Sequence, residues 1–438
     1  MKHCLPPRVT GIGCTVSALC LLLLGGHLRL HAQPNYPVPS GVYCSCGPTN
    51  ATGPGSVDPA IASRPYVRGI LVRIGWNLVE PQDGAYNWAQ LDTQIARACS
   101  YGKKVALAVV NGPSAPAWLY AAGARYAVVG APFNDTIPYP WDPVYLARWG
   151  DLIAHLGARY DGDTTVTLVH MTNATANGFE FFLSPTAAFN WNAAGYSDMK
   201  VIDSWKQVID AFNAAFPNHY LDNDFHPVFL TASSSTVPGD SVYAYARRTV
   251  GGRYGAFSSW WSQKNTSAYP AQYADLVGSA RSTFATVQFA YNGTSDSAAF
   301  GAGGMPGALR LAIEDGICYW ELWNQDILNP KFDSLLATAT CTTTGGIEPP
   351  SPGVLHPVFN PDPSSGSLFI HWGAIPGEPV EVSIVDLLGR VVFHATAERG
   401  AMEAHIDISG LTRGTYVVRV AVPGGRSGIN SALVIQNH

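Results

Sequence analysis

Charged residues are scarce in this sequence. They make up 13% of its 438 residues, against roughly a quarter in an ordinary soluble domain. Hydrophobic residues reach 47%, which is the opposite of the balance found in disordered, charge-rich chains. The 26 basic and 31 acidic residues give a formal charge of −5, so the chain offers no basic surface for nucleic acid. We therefore expect a globular protein with no nucleic-acid partner.

Long apolar runs are missing after the first 32 residues. Lys2 and Arg8 precede an apolar segment at 16–24, and residues 30–32 provide a cleavage site. The segment is too short for a permanent membrane anchor and has the organisation of a signal peptide. We predict a signal peptide over residues 1–32 and a mature protein that is secreted or held at the cell surface, with no integral membrane segment.

Cysteine is also sparse once the signal peptide is removed. Five cysteines remain, at positions 44, 46, 99, 318 and 341, an odd number for an oxidising compartment. Cys44 and Cys46 are too close in sequence for an easy mutual bridge, and Cys-x-Cys without a nearby histidine is a poor zinc signal. We expect buried thiols with one bridge, and no structural metal.

Aromatic residues, by contrast, are plentiful. The chain has 20 Tyr, 12 Trp and 17 Phe. Aromatic rings stack on flat, neutral, hydroxylated ligands, of which sugars are the obvious case. The composition therefore favours a carbohydrate partner for an extracellular protein.

Residues 342–353 separate two regions of different character. This segment has the sequence TTTGGIEPPSPG, which cannot pack and favours an extended linker. Before it, residues 33–341 alternate between strand-like and helix-like runs. After it, residues 354–438 contain short β-rich runs divided by glycine turns, which predicts a small all-β sandwich.

Several motifs of the C-terminal region occur in a recognisable order. They are FNPDP at 359–363, LFI at 368–370, VDLLGRV at 385–391, IDISGL at 406–411 and GTYVV at 414–418. Together they resemble the C-terminal sorting domain of type IX secretion cargo. The resemblance implies export across both membranes of a diderm bacterium, with the type IX secretion machinery as a partner. An ordinary sugar-binding β-sandwich is the alternative.

The large region predicts a (β/α)8 TIM barrel. Eight candidate strands are separated by helix-length amphipathic segments; the strands are 40–46, 67–75, 103–111, 164–172, 219–229, 254–261, 284–291 and 316–323. A doubly wound open sheet is the alternative, but no Gly-x-Gly-x-x-Gly turn follows the first strand.

Polar and aromatic residues gather at the C-terminal ends of these strands, where barrel enzymes place their chemistry. We predict a carbohydrate cleft there. The candidate substrate-binding residues are Arg73, Trp76, Asn173, Trp260, Gln288, Trp320 and Trp323. Strand side chains alternate with a period of two, so only one of Trp320 and Trp323 can face the barrel axis unless a bulge intervenes.

The segment 73–88 has the sequence RIGWNLVEPQDGAYNW and is followed by Gly102-Lys103-Lys104 and Pro116-Ala117-Trp118. Over residues 67–120 this pattern resembles clan-A glycoside hydrolases, notably the β-galactosidase-like barrels. The resemblance implies that Glu80 shapes a loop and that Arg73 lies near the catalytic nucleophile.

The sequence departs from that family at both catalytic positions. Where the resemblance expects a general acid after asparagine, the chain has Asn173-Ala174, and the nucleophile position holds Gln288. Neither side chain can do the chemistry. Two other carboxylates could replace them: Glu180, whose flanking phenylalanines would raise its pKa, and Glu321 on the last strand.

Three functions are compatible with these residues. A secreted glycoside hydrolase acting on an oligo- or polysaccharide, with Glu180 and Glu321 as catalytic residues, comes first. A non-catalytic carbohydrate-binding surface protein comes second, and a structural cell-surface module third. Asp222, Asp224 and His226 are weaker catalytic candidates that could instead hold a metal, but no matching second cluster exists. We therefore predict no cofactor and no metal.

Overall fold

The structure is a computed structural model. It describes residues 34, 36–45, 57–129, 135–183, 191–229, 235–341, 358–362, 367–371, 379–386, 388–397, 403–412, 414–421 and 428–435. The predicted signal peptide (1–32) and linker (342–353) lie outside the described residues. The chain divides into two compact units, residues 1–343 and 344–438.

The first unit is built around a closed barrel of parallel strands. The strands of the first unit are β1 (Gly41–Ser45), β2 (Val67–Gly75), β3 (Lys104–Val110), β4 (Tyr126–Val129), β5 (Asp135–Pro138), β6 (Val166–His170), β7 (Tyr220–Asp224), β8 (Tyr254–Trp261), β9 (Ala285–Phe289) and β10 (Tyr319–Trp323). The barrel order is β1-β10-β9-β8-β7-β6-β3-β2, and β4 pairs with β5 in a separate hairpin. The predicted TIM barrel is confirmed.

Helices connect the barrel strands. They are α1 (Pro59–Ala62), α2 (Trp76–Val79), α3 (Ala89–Ser100), α4 (Ala117–Ala121), α5 (Pro143–Tyr160), α6 (Asp198–Ala215), α7 (Val237–Val250), α8 (Gln263–Ala268), α9 (Pro270–Ser282), α10 (Gly304–Glu314), α11 (Asn324–Leu328) and α12 (Pro330–Thr338). The start of α5 shows how sequence sets these bounds. Asp142 accepts hydrogen bonds from the first free N–H groups, and Pro143 takes the first helical position, where its missing N–H costs nothing.

The barrel strands are buried on both faces, as expected of a parallel sheet covered by helices. Outward-facing side chains pack against the helices in one large core. Inward-facing side chains form a second, separate core that includes Leu71, Leu168, Phe179, Phe257 and Tyr319. Most of this inner core comes from the barrel strands, and Phe179 joins it from the loop after β6.

The cysteines are more oxidised than the sequence predicted. Cys318, just before β10, forms a disulfide with Cys341, beyond α12. Cys44 and Cys99 are also disulfide-bonded, so the protein has more than the one bridge expected. Among the described residues, no helix is both long enough and apolar enough to cross a membrane.

The second unit has two antiparallel sheets. Its strands are β11 (Val358–Asp362), β12 (Ser367–His371), β13 (Val380–Asp386), β14 (Val391–Ala397), β15 (Glu403–Asp407), β16 (Gly414–Ala421) and β17 (Gly428–Ile435). The sheet orders are β11-β12-β15 and β14-β13-β16-β17. Ile370 and Ile406 of one sheet share a core with Ile384 and Val418 of the other. The predicted all-β sandwich is confirmed.

Candidate active site

The C-terminal halves of several barrel strands carry buried polar side chains that point inward. Two groups of the same composition, each made of one histidine, one aspartate and one glutamate, lie among them. The inner triad is His170, Asp222 and Glu321, and the mouth triad is His226, Asp224 and Glu180. The two triads differ in burial and in hydrogen bonding, and these differences set their chemistry.

The inner triad is an ion pair closed off inside the barrel. His170 Nδ1 lies 2.6 Å from Asp222 Oδ1, and His170 Nε2 lies 3.2 Å from Glu321 Oε1. Burial alone would lower the pKa of His170, but the two carboxylates raise it to about 10. Burial raises the pKa of Asp222 despite its histidine partner. The His170 ring is therefore an imidazolium at neutral pH.

Glu321 is completely buried and has donors on both oxygens. Tyr319 OH donates to Oε1 at 2.6 Å, and Gln288 Nε2 donates to Oε2 at 2.9 Å. Burial acts to raise the pKa of Glu321, but these donors and His170 outweigh it and lower the pKa below its ordinary value. Glu321 is thus an ionised carboxylate within the barrel.

The mouth triad lies at the C-terminal end of β7. Asp224 is the last residue of β7, His226 follows it, and Glu180 lies on the loop after β6. One ligand-type atom from each of its three residues lies within 4.8 Å of the others. Asp224 and His226 are buried, whereas Glu180 is partly exposed. The mouth triad is the more open of the two.

A tight loop places Glu180 at the mouth. Asn177 Oδ1 accepts hydrogen bonds from the backbone N–H groups of Phe179 and Glu180 at 3.0 and 2.9 Å. Gly178 has φ +72°, and a Cβ there would lie 2.2 Å from the carbonyl oxygen of Asn111. Only glycine fits this contact. The loop is therefore held against the end of β3, and Glu180 has a defined position.

Both carboxylate oxygens of Asp224 accept hydrogen bonds. It accepts hydrogen bonds from Phe181 N at 3.0 Å, from Ser259 N at 3.2 Å and from Ser259 Oγ at 3.0 Å. His226 Nε2 lies 3.1 Å from Asp224 Oδ2, while His226 Nδ1 lies 2.8 Å from the Pro227 carbonyl oxygen. Both ring nitrogens of His226 therefore face acceptors, as an imidazolium requires. Burial alone would lower the pKa of His226, but Asp224 raises it.

Glu180 has the opposite electrostatic setting from Glu321. Burial, followed by the neighbouring Asp224 charge, raises the pKa of Glu180 to about 7. The charges of His226 and Arg73 act against this rise without cancelling it. At neutral pH a substantial fraction of Glu180 is protonated, which is the state a general acid needs.

The mouth triad has the donor types of a metal site, but its contacts are those of an ion pair. Among the described residues, no other three His, Cys, Asp or Glu side chains bring their ligand atoms within 4.8 Å of one another. The Asp224 oxygens already accept several protein hydrogen bonds, and His226 faces one of them. We therefore assign no metal to these residues.

Two of the predicted sugar-binding residues do not lie in the cleft. Trp76 is fully buried in the core around the barrel, where its Nε1 donates to Glu80 at 2.7 Å. Trp320 is 1% exposed in the same core, on the outward face of β10. Neither indole has a free face, so their prediction as substrate contacts was wrong. Glu80, bonded to Trp76 and to Gly84 N, has the position of a structural residue.

Asn173 belongs to a buried network. Its Oδ1 accepts a hydrogen bond from Tyr145 OH at 2.7 Å, and Tyr145 OH in turn accepts from Asn111 Nδ2 at 2.6 Å. Asn173 is fully buried. Its amide is engaged in fixing the end of β6, which argues against a direct contact with a sugar.

The remaining predicted residues do lie at the strand ends. Trp323 is partly exposed, with its Nε1 donating to the Phe289 carbonyl at 2.8 Å. Trp260 packs against Tyr269 with ring centroids 5.1 Å apart, and no group in the described part of the chain bonds to its buried Nε1. Gln288 Nε2 donates to Ser45 Oγ at 2.8 Å as well as to Glu321. These three residues stay candidates for substrate contact.

Sequence analysis missed His170, which organises the inner triad. The residue ends a β-rich run, and its polar character there was the only local signal. Its partner Asp222 lies directly beside it in the β6–β7 register, and a register between strands cannot be read from one segment alone.

Comparison with known families agrees with this architecture. A family model for beta-galactosidase, of the glycoside hydrolase class, matches residues 70–220. A model for the secretion system C-terminal sorting domain matches residues 358–435. Over residues 70–220 the barrel is thus similar to beta-galactosidases, and the C-terminal unit is similar to a secretion sorting domain. Both resemblances are confirmed, and the sorting domain indicates type IX secretion to the cell surface or the medium.

Solved structures with similar folds include several glycosidases. The endo-beta-1,4-mannanase from Thermotoga petrophila is 12% identical, with 86% of this chain and 93% of that chain covered and a TM-score of 0.40. A xylanase from Paenibacillus barcinonensis is 14% identical, with 65% and 83% covered and a TM-score of 0.37. A beta-galactosidase from a Rahnella species is 12% identical, with 52% and 40% covered and a TM-score of 0.34. No curated protein sequence matches the chain.

Proposed function

We propose that the protein is a secreted glycosidase that hydrolyses an oligo- or polysaccharide, with Glu180 as general acid and Glu321 as the ionised carboxylate. One observation carries the proposal: the environments of these two glutamates move their pKa values in opposite directions, with Glu180 raised to about 7 and Glu321 lowered. Two carboxyl groups with separated pKa values are what glycoside hydrolysis requires. The charges of both glutamates act on the pKa of Arg73, which supports the proposal that the three side chains face one cleft.

In this mechanism the Glu180 proton passes to the glycosidic oxygen as the bond between that oxygen and the anomeric carbon breaks. A water molecule then bonds to the anomeric carbon and gives a proton back to the Glu180 carboxylate. The positive charge that develops on the sugar ring is stabilised by the ionised Glu321. Asp224 acts on Glu180 through its charge, because its own oxygens are occupied by Ser259, Phe181 and His226. It keeps the proton on Glu180 until the departing oxygen takes it.

Trp260, Trp323, Gln288 and Arg73 are the substrate contacts we propose. A direct test uses the two tryptophans of β10. Trp323→Ala should weaken saccharide binding by roughly 1–3 kcal/mol, whereas Trp320→Ala should leave binding intact and cost about 3–5 kcal/mol of folding stability. Titration calorimetry and thermal melting separate the two effects. Equal losses of binding in both variants would contradict the assignment.

The catalytic proposal is tested by a screen of chromogenic glycosides and polysaccharides with the mature protein. Glu180→Gln should lower the turnover found by roughly 10²–10⁴-fold on unactivated saccharides and by less on chromogenic aryl glycosides, and Glu314→Gln, at an exposed position of α10, is the matched control. Turnover unaffected by Glu180→Gln would refute the role of Glu180.

A non-catalytic carbohydrate-binding protein is the second candidate. It is favoured by the complete burial of Glu321 and by the uncharged Ala174 and Gln288 at the positions where the family resemblance expects carboxylates. A wild-type protein that binds a glycan and cleaves none of the substrates would establish this second function.

A further inference from the structure

Arg73 is a buried cation without a buried anion in contact with it. The residue lies near the end of β2 and is 8% exposed. Its one hydrogen bond to the described residues is a long one, from Nη2 to Ser45 Oγ at 3.5 Å, and its buried Nε has no partner among those residues. Among the described residues, no carboxylate oxygen lies within ion-pair distance of it. A guanidinium taken out of water without such a partner costs considerable free energy.

The nearby carboxylates do not need Arg73. Glu321 is supplied by Tyr319, Gln288 and His170, and Asp224 is supplied by neighbours of its own. The charges of Glu321 and Glu180 do reach Arg73 electrostatically, but burial outweighs them and lowers the pKa of Arg73. The guanidinium therefore keeps donors that nothing in the described residues uses.

Gln288, which shares the Ser45 acceptor with Arg73, is a neighbour that could have carried a negative charge but does not. The family resemblance implies a carboxylate nucleophile near Arg73, and this chain has an uncharged amide at that position. The amide nitrogen of Gln288 is engaged by Ser45 and Glu321. Gln288 is uncharged and shares the Ser45 Oγ acceptor with Arg73, so it supplies no anion to the guanidinium.

The surroundings of Arg73 hold the guanidinium in one orientation. Its Cζ lies 5.2 Å from the centroid of the Phe179 ring, so one side of the guanidinium rests on an aromatic surface. Ser45 Oγ accepts hydrogen bonds from both Arg73 and Gln288. A planar guanidinium with unused Nε and Nη donors is suited to bind a carboxylate through two parallel hydrogen bonds.

We propose that Arg73 binds the carboxylate of an acidic sugar, so that the glycan recognised by this barrel contains hexuronic acid. The inference rests on the proposed carbohydrate cleft and adds the chemical class of its ligand. It concerns binding, and it is independent of whether Glu180 catalyses hydrolysis.

The test is an array of hexuronic acid oligosaccharides, each placed beside the same oligosaccharide with its carboxyl groups reduced to alcohols. The mature protein should bind acidic members and lose roughly ten- to hundredfold in affinity for the reduced partners, which is the worth of a hydrogen-bonded charged group. Arg73→Met should bind both forms equally weakly. Arg68→Met, at an exposed position of the same strand, should behave as the wild type.

Thermal melting gives a readout that does not depend on any ligand. Because Arg73 is an unpaired buried charge, Arg73→Met should melt at or above the wild-type temperature, and Arg73→Gln provides a second uncharged variant. Equal binding of acidic and reduced sugars, binding of no acidic sugar, or acidic binding that survives Arg73→Met would overturn the proposal. Loss of turnover in Glu180→Gln tests the catalytic proposal separately.

Discussion

The inner and mouth triads contain the same three residue types and have opposite chemistry. In the inner triad, His170 is enclosed between Asp222 and Glu321, and Thr286 and Tyr319 add further donors to these carboxylates. In the mouth triad, the donors converge on Asp224, and Glu180 is left partly exposed beside its charge. The comparison teaches that the number of donors on each carboxylate, rather than residue type, decides which glutamate keeps a proton.

The largest difference is expected in turnover. Glu180→Gln should lower kcat by roughly 10²–10⁴-fold, the usual contribution of a positioned general acid, with a smaller loss on aryl glycosides whose leaving groups need little protonation. In the wild type, activity should fall as pH rises through about 7, where Glu180 loses its proton. A pH–rate profile measures this, and an unchanged profile in the variant would contradict the assignment.

Folding stability should respond most to the inner triad. His170→Gln should lower the free energy of unfolding by roughly 3–5 kcal/mol, because it leaves buried charges without their partner. The pKa of His170 is raised, to about 10, so its contribution is complete below pH 6.5 and is lost as pH rises toward 10.

Denaturant unfolding at pH 6 and at pH 10.5 measures the window for His170. His155→Gln is the control, since His155 is exposed on α5. A difference between wild type and His170→Gln that grows with pH would show that the imidazolium is not the stabilising form.

A smaller effect with the opposite pH dependence is expected for Glu321. Its pKa is lowered, so its stabilising contribution is present above about pH 4.5 and disappears as pH falls through the folded-state value. Glu321→Gln should therefore cost roughly 1–3 kcal/mol at pH 7 and progressively less in acid. Unfolding curves at pH 7 and pH 3.5, with Glu314→Gln as control, test this, and a gap that widens in acid would be the contrary result.

The smallest expected effect is a shift in the pKa of Glu180 itself. The charge of His226 lowers this pKa, so His226→Gln should raise it, by about one unit or less. A ¹³C NMR titration of the Glu180 carboxyl carbon measures the shift without a substrate. A fall in the pKa of Glu180 would contradict this prediction, because it would mean that the charge of His226 does not lower that pKa.

Local sequence patterns predicted the barrel well because each strand is a short apolar run. Each predicted strand contains a strand of the barrel, although β7 ends at Asp224, within the predicted 219–229. Beyond it lie His226 and Pro227, which lacks the N–H a strand interior needs.

The site was less predictable because its contacts depend on register between strands. Glu321 lies opposite Gln288 in the β9–β10 pairing, and nothing in either segment predicts that contact. The tryptophans illustrate the same limit. Their number suggested a sugar cleft, yet Trp76, at the start of α2, and Trp320, on β10, both lie in the core between barrel and helices, since a barrel strand is buried on both faces.

The Cys318–Cys341 disulfide has a mechanical consequence for a protein exported by its tail. Tension applied through the chain beyond Cys341 reaches the barrel at Cys318, next to β10, and bypasses α12 between them. The Cys318 carbonyl accepts a hydrogen bond from Gly41 N at 2.6 Å, where β10 joins β1 and the barrel closes. A pull on the tail is therefore borne by the seam of the barrel, and the last helix is not peeled away from it.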